Sequence, residues 1–332
     1  MKNLLETLTR AHGVSGDESA IRATIRQAAE PYADDITEDA LGNLIVHQKG
    51  VGKKIMLAAH MDSVGVIVTH IEKSGFLRFG AIGGLEAKAL YQTMVRFQNG
   101  TVGVIAVEES KEEKEFKLAD LYIDIGARNR DEAKTMVTVG DTAAFAGALS
   151  GNGNRIMGSY LDNRAGCAVL LEAMKQTQHP TNDLYYVFTT QEEVGCRGAK
   201  TAAYGIMPDF SLAFDVTGSG DGPKSRPMAV SLGKGAAVKV KDSSVICDSG
   251  FVRCLMDLSK EKKIPAQLEI LEGGGTDTCS MQVAGCGSRA TAISVPTRYI
   301  HSNNETISKK DYDACVALTV ALLEKDLNEY KN

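Results

Sequence analysis

The apolar run Leu184-Tyr185-Tyr186-Val187-Phe188 leads into Thr190-Gln191-Glu192-Glu193-Val194-Gly195, and this stretch limits the fold more than any other. A strand stops on two adjacent carboxylates, and a glycine then lets the chain turn. In α/β proteins with parallel sheets, ligands bind just outside the carboxyl ends of the strands, so acids at such an end mark a site by position alone. Charged side chains mostly lie at the surface, so a solvated loop pair is the competing reading. The ends of the other strands decide between the two.

Lys54-Ile55-Met56-Leu57-Ala58-Ala59-His60 has the unbroken apolar texture of a strand buried on both faces, and it ends in His60-Met61-Asp62. Residues two apart on an extended chain share a face, so His60 and Asp62 point the same way. That pairing suits a metal-bound imidazole oriented by a carboxylate, and equally a surface histidine beside a turn-forming Asp. Phe210-Ser211-Leu212-Ala213-Phe214 ends in Asp215, and Ala290 to Val295 leads through Pro296 to Tyr299-Ile300-His301. Asp162 opens a helix that runs through Ala168 to Met174, where an N-cap role competes with a ligand role. Further helices are expected over 3–11, 17–30, about 198–204, 249–261 and about 309–330, with Asp17 and Glu18 in the first turn of the second.

Between 63 and 159 the texture changes to short β-like runs broken by glycine, which predicts a small antiparallel barrel inserted into a larger α/β domain. Residues 1–62 and 160–332 form the larger unit in this reading, and 332 residues suit one large domain plus a smaller one. His70 reads as a strand residue of the insert, and the charge run Glu108 to Lys114 as a solvated hairpin or loop. A net charge of −5 gives no basic footprint for nucleic acid. No apolar run reaches the roughly eighteen residues of a membrane span, and the N-terminus is not expected to be a signal peptide. The seven cysteines are odd in number and scattered without a Cys-x-x-Cys, so neither a disulfide framework nor a thiolate zinc site is expected. They read as small buried hydrophobes of a protein in a reducing cytoplasm.

His60, Glu192, Glu193, Asp215 and His301 thus follow apolar strands, Asp162 opens another unit, and all should converge on one sheet edge. Two histidines with several carboxylates form an N/O ligand set suited to Zn²⁺, Co²⁺ or Mn²⁺. One ion would not use so many ligands, whereas a carboxylate-bridged pair roughly 3.5–4 Å apart would. His60-Met61-Asp62, Leu161-Asp162-Asn163-Arg164, Gln191 to Gly195, Phe214-Asp215-Val216, Gly275-Thr276-Asp277 and Arg298 to Ser302, taken in order, resemble the M42 family of dinuclear metallo-aminopeptidases. The resemblance covers nearly the whole chain. It implies a metallopeptidase catalytic domain with a mostly parallel central sheet, an inserted β domain used for dimerisation, and often a dodecameric shell.

Carried onto matching positions, the resemblance makes His60 and Asp215 ligands of one metal, Glu193 and His301 ligands of the other, and Asp162 the bridge. Glu192 becomes the general base and acid, and Asp62 the partner that orients His60. The implied activity is removal of N-terminal residues from peptides with a free amine, with no nucleic-acid or membrane partner. Lys224, Arg226 and Lys234 in the glycine-rich loop could receive an acidic side chain and so suggest glutamyl or aspartyl preference. Asp277 reads as a site support or a helix cap, and His12, His47 and His179 as structural.

Three other classes compete. A glycan hydrolase needs two carboxylates about 5 Å or more apart across a sugar, which adjacent Glu192 and Glu193 fit poorly. A metal-dependent deacylase or carboxypeptidase of related fold would act on substrates with a blocked N-terminus. A non-catalytic assembly protein would use its metals only for structure.

Overall fold

The computed structural model describes residues 2–109, 116–177 and 179–330. Among these, eleven strands form one mixed sheet and six close into a separate barrel. The centre of the sheet is parallel, with Asp183–Thr189, Lys54–His60, Phe210–Thr217 and Arg289–Arg298 side by side in that order. Both flanks are antiparallel. Leu44–Gln48 and Asp35–Glu38 extend one side, and Glu305–Ser308, Arg155–Gly158 and Ser150–Asn152 the other. Ala236–Lys241 pairs antiparallel with Arg289–Arg298 and carries Ala266–Ile270 parallel on its far side. The expected mostly parallel sheet is therefore mixed, because only the strands joined by helical crossovers run parallel.

Strand Lys54–His60 shows why the centre reads as continuous apolar sequence. Ile55, Leu57 and Ala59 enter the core shared with helices Leu161–Gln176 and Lys309–Leu323. Met56 and Ala58 pack on the opposite face against Ala199, Ala202 and Ala203 of helix Arg197–Ile206. Burying a side chain of this kind contributes about 1.5–3 kcal/mol for the larger ones, so both faces of the strand are held. Helix Leu161–Gln176 is buried on nearly every side, which is how a helix without a polar stripe behaves.

The barrel runs Gly65–Ile71, Leu77–Ile82, Leu121–Asp124, Val102–Val107, Met94–Phe97, Thr142–Phe145 and back to the first strand, antiparallel throughout. Val66, Leu77, Val95, Ile105 and Ile123 fill it, and Val14 and Tyr160 join the same cluster from outside the barrel. His70 lies in its first strand. Ser150–Asn152 and Arg155–Gly158, read from sequence as part of the insert, instead pair with each other and with Glu305–Ser308 in the large sheet. Of the charge run, residues 110 to 114 lie outside the described residues, and Glu108 pairs with Arg78 at 2.7 Å.

Two helix ends differ from expectation. The second helix begins at Ser19, because the Glu18 carboxylate turns back to accept the Gly16 N–H at 2.7 Å and Asp17 is held by His12 and Thr142. The last helix stops at Leu323, and a single 3-10 turn follows at Leu327–Glu329. No helix among the described residues is long and apolar enough to cross a membrane.

Candidate active site

The site grows from a split in the sheet. Lys54–His60 and Phe210–Thr217 pair only as far as Ala58 and Ala213, whereas each stays paired with its other neighbour up to His60 and Thr217. The two strands separate at their carboxyl ends, and His60 and Asp215 face each other across the gap, Nε2 to Oδ1 3.5 Å. A crevice at the carboxyl ends of parallel strands is where this architecture places ligands.

Asp162 lies between the two histidines. Its Oδ1 is 3.2 Å from His60 Nε2 and its Oδ2 is 3.4 Å from His301 Nε2. His301 Nε2 also meets Glu193 Oε2 at 3.1 Å. Asp162 does not cap its helix. Tyr160 occupies the cap position in the left-handed region, and Asp162 keeps a non-helical backbone that aims its carboxylate into the crevice. Gln191, Cys196, Tyr299 and His301 share positive φ values with Tyr160. Such conformations in residues with a side chain gather at functional sites, where the surrounding structure enforces them.

Asp62 organises the inner wall. Its carboxylate accepts the Ser15 hydroxyl at 2.6 Å and the backbone N–H groups of Glu192 and Glu193 at 3.0 and 3.2 Å, and it lies 3.5 Å from His60 Nδ1. Burial alone would raise this carboxyl, but His60, Ser15 and the Glu192 N–H together hold it below its usual range. Glu305 has the same function on the outer side. It is fully buried and accepts the backbone N–H groups of Asp162 and His301, both at 2.9 Å. Burial pushes Glu305 well above the usual carboxyl range, with the Asp162 charge adding to it.

Two further residues complete the frame. Arg164 is wholly buried beneath the site, with one nitrogen 3.4 Å from the Gly13 carbonyl and its charge facing Asp62 and Glu18. Gly84, in the segment after barrel strand Leu77–Ile82, faces His301 Nδ1 through its carbonyl at 2.7 Å. Sequence reasoning missed Ser15, Gly84 and Glu305 as parts of the site. Glu305, four residues after His301, was the one with a local signal.

The electrostatics follow from crowding acids in a crevice. His60 is raised well above the ordinary imidazole value, since Asp215, Asp162 and Asp62 outweigh its burial. His301 is raised to about 11 by Asp162 and Glu193, again against burial. Asp162 is held far below its usual range by the two imidazoles despite its burial. Burial drives Glu192 well above its usual range, and Asp215, Asp277 and Glu193 add to this while His60 opposes it. Asp277 is likewise raised, to about 7, by burial. It occupies a cap position without capping, and its Oδ2 accepts the Thr189 hydroxyl at 2.5 Å.

The donor set fits divalent cations. One ligand atom each from His60, Asp162 and Asp215 lie within 4.8 Å of one another, and the same holds for Asp162, Glu193 and His301. Asp162 Oδ1 and Glu193 Oε1 are buried without a hydrogen-bond partner among the described residues, a costly arrangement unless a cation satisfies them. All six of His60, Asp162, Glu192, Glu193, Asp215 and His301 line one cavity of about 610 Å³, whose wall also includes Val216, Leu271 and Ile300. Asp62 sits behind it. Lys224, Arg226 and Lys234 are exposed and are not among the lining residues. His12 bonds Asp17 and Thr142, and His47 bonds Asp183 at 2.7 Å, both away from the cavity.

Cysteines correct one expectation. Cys167, Cys196, Cys247 and Cys315 are buried, but Cys254 and Cys279 are half-buried and Cys286 is exposed. Cys196 and Cys279 also line the cavity.

Comparison with known proteins agrees with this construction. The family profile described as M42 glutamyl aminopeptidase matches residues 42–318. A protein of Acetivibrio thermocellus, assigned by name to the aminopeptidases, is 49% identical over 321 residues, covering 96% of this chain and 97% of its own. An aminopeptidase from the archaeon Desulfurococcus kamchatkensis superposes with a TM-score of 0.94 at 35% identity, covering 97% of this chain and 94% of its own. The TET1 peptidase of Pyrococcus horikoshii, which can assemble into a tetrahedron or a large octahedral shell, superposes at 0.88 with 33% identity, covering 97% and 98%. A mixed sheet split at its parallel centre, two overlapping N/O triads in the split and these matches lead to one conclusion: the chain belongs to the M42 aminopeptidase family and is a hydrolase of that class.

Proposed function

We propose that this chain removes N-terminal residues from short peptides at a dinuclear metal site in which Asp162 is the bridge. The observation that carries the reading is the division of the Asp162 carboxylate, one oxygen toward His60 and the other toward His301. His60 and Asp215 would hold one ion, and Glu193 and His301 the other. When bound, two such ions lower the pKa of a shared water and polarise the scissile carbonyl.

The chain supplies the rest. Glu192 Oε2 is 4.0 Å from His60 Nε2, near the ligands without belonging to either triad that shares Asp162. Burial raises its carboxyl and so its basicity, which suits Glu192 to take the proton of the attacking water and return it to the leaving amine. Asp62 holds the His60 ring and the backbone of the Glu192-Glu193 turn in register. Glu305 fixes the backbones of Asp162 and His301.

Among the described residues the cavity lining includes no Lys or Arg, so away from the two histidines it offers an acidic side chain no counter-charge and favours an uncharged one beside Val216, Leu271 and Ile300. In this reading residues 1–62 and 150–332 form the catalytic unit and the barrel between them carries the assembly contacts, with a homo-oligomer built from dimers. Seven unpaired cysteines suit a reducing cytoplasm.

The test strips the protein with chelator, restores Zn²⁺, Co²⁺ or Mn²⁺ separately, and assays Glu-, Asp-, Leu- and Lys-p-nitroanilide beside N-acetylated controls. Metal-dependent cleavage of free-amine substrates only, with Leu ahead of Glu, is the expected result. Glu192→Gln should keep its metal and lose roughly 10²–10⁴-fold in kcat. Turnover of blocked substrates would move the assignment to a deacylase, and full activity in the metal-loaded Glu192→Gln would remove the base.

A further inference from the structure

The wall of the cavity next to Glu192 carries two thiols that the hydrolytic chemistry leaves unused. Cys196 precedes helix Arg197–Ile206 in the left-handed backbone region, and its Sγ donates to Glu192 Oε1 at 3.3 Å. Cys279 lies in the short helix Thr278–Gln282. Both line the cavity. The two segments are tied together at this point, since the Ser280 hydroxyl donates to the Cys196 carbonyl at 3.1 Å.

The thiols also act on each other. The neighbouring Cys196 thiol, helped by the Ser244 and Ser280 hydroxyls, holds Cys279 below the ordinary thiol range against its burial. The same pairing, followed by burial, pushes Cys196 up. The two thiols thus lie in adjoining segments, tied by the Ser280–Cys196 bond, on the wall of one cavity. A low-lying, accessible thiolate next to a second cysteine is the arrangement that oxidises selectively.

We propose that Cys196 and Cys279 form a reversible disulfide in the wall of the active-site cavity, and that this bond switches the peptidase off. With hydrogen peroxide as oxidant, the Cys279 thiolate attacks one peroxide oxygen, the O–O bond breaks and the departing hydroxide takes up a proton to become water. Cys279 is then a sulfenic acid. The Cys196 sulfur attacks it, the S–S bond forms, the S–O bond breaks, and hydroxide leaves with the Cys196 proton as a second water. Two thiols have lost two electrons, and the peroxide has gained them.

The consequence for catalysis runs through Glu192 and so rests on its reading as general base. Oxidation removes the S–H donor from Glu192 Oε1. It also pulls on the tight turn in which Gly195 and Cys196 both donate backbone N–H groups to the Glu192 carbonyl at 2.9 Å. Cys196 groups with Glu192 and Asp277 and belongs to neither of the overlapping triads around Asp162, so metals held by those two triads should stay bound.

The metal-loaded enzyme is treated with hydrogen peroxide, then with a phosphine reductant, and followed by non-reducing peptide mapping, kcat/KM and metal content. A peptide joining Cys196 to Cys279, two hydrogens lighter than its reduced parts, should appear as activity falls by roughly 10²-fold, the low end of what a displaced base costs. Reduction should restore activity, with metal content constant throughout. Cys279→Ser and Cys196→Ser, each compared with its own untreated activity, should lose the peroxide response. The proposal is overturned if no joined peptide forms, if it forms without loss of activity, or if either serine variant inactivates as the parent does. The joined peptide is read by mass alone, so its absence counts against the disulfide whatever Glu192 does, and full activity in Glu192→Gln counts against the base whatever the thiols do.

Discussion

Asp62 touches no other residue's job directly and supports three of them. It faces His60, accepts the N–H groups of Glu192 and Glu193, and takes a hydroxyl from Ser15. Carboxylates that orient a metal-binding imidazole raise its basicity and fix its ring, and their loss typically weakens metal binding about 10–100-fold. Asp62→Asn keeps the size but replaces one acceptor oxygen by a donor that faces the backbone N–H of Glu192 or of Glu193. Metal affinity measured by competition with a chromophoric chelator should therefore fall by roughly that factor, together with activity at limiting metal. Unchanged affinity would leave Asp62 with only a shape-keeping part. Glu305→Gln offers the comparison on the outer side, where the contacts are backbone N–H groups alone.

Among the strands, the separation of Lys54–His60 from Phe210–Thr217 creates the site, and buried polar contacts help hold the divided sheet together. Lys239 on strand Ala236–Lys241 bonds Glu269 on Ala266–Ile270, and Asp242 is 3.6 Å from the same ammonium, all three side chains fully buried. Removing one partner of a buried pair leaves an uncompensated charge and costs about 3–5 kcal/mol. Glu269→Ala should lower the unfolding midpoint accordingly, and a triple change to Lys239→Met, Asp242→Asn and Glu269→Leu, which leaves no buried charge behind, should recover most of it. The convergence of strand ends was legible in the chain because each of His60, Glu192, Asp215 and His301 follows an apolar run, and the carboxyl ends of parallel strands share one edge. The gap between two of those strands was not, because it depends on where pairing stops. Ser15 and Gly84 were hidden for a similar reason: each meets the site through a register set by tertiary packing. Asp162 reads as cap or ligand in the sequence, and its non-helical backbone excludes only the cap; the thiol pair has no spacing pattern that could announce it.

For the molecule as a whole, the barrel is more than an appendage. Its Gly84 carbonyl faces His301 Nδ1, and a Cβ at Gly83 would lie 3.4 Å from Glu193 Oε2, so the insert closes one side of the cavity. That contact has a thermodynamic meaning. If copies of this chain associate through the barrel, any tilt that association imposes is felt at His301, and whatever fills the space beside His301 is felt at the interface. Coupling between two binding equilibria is reciprocal, with each changing the other by the same factor. Light scattering on metal-stripped and metal-restored protein over a dilution series should show the stripped form dissociating at higher protein concentration, and Gly84→Ala, whose Cβ would lie 3.3 Å from His301 Nδ1, should narrow the difference. Identical dissociation curves would separate the two equilibria. A ligand held by one folding unit and steadied by another makes metal occupancy and particle size two readings of a single balance.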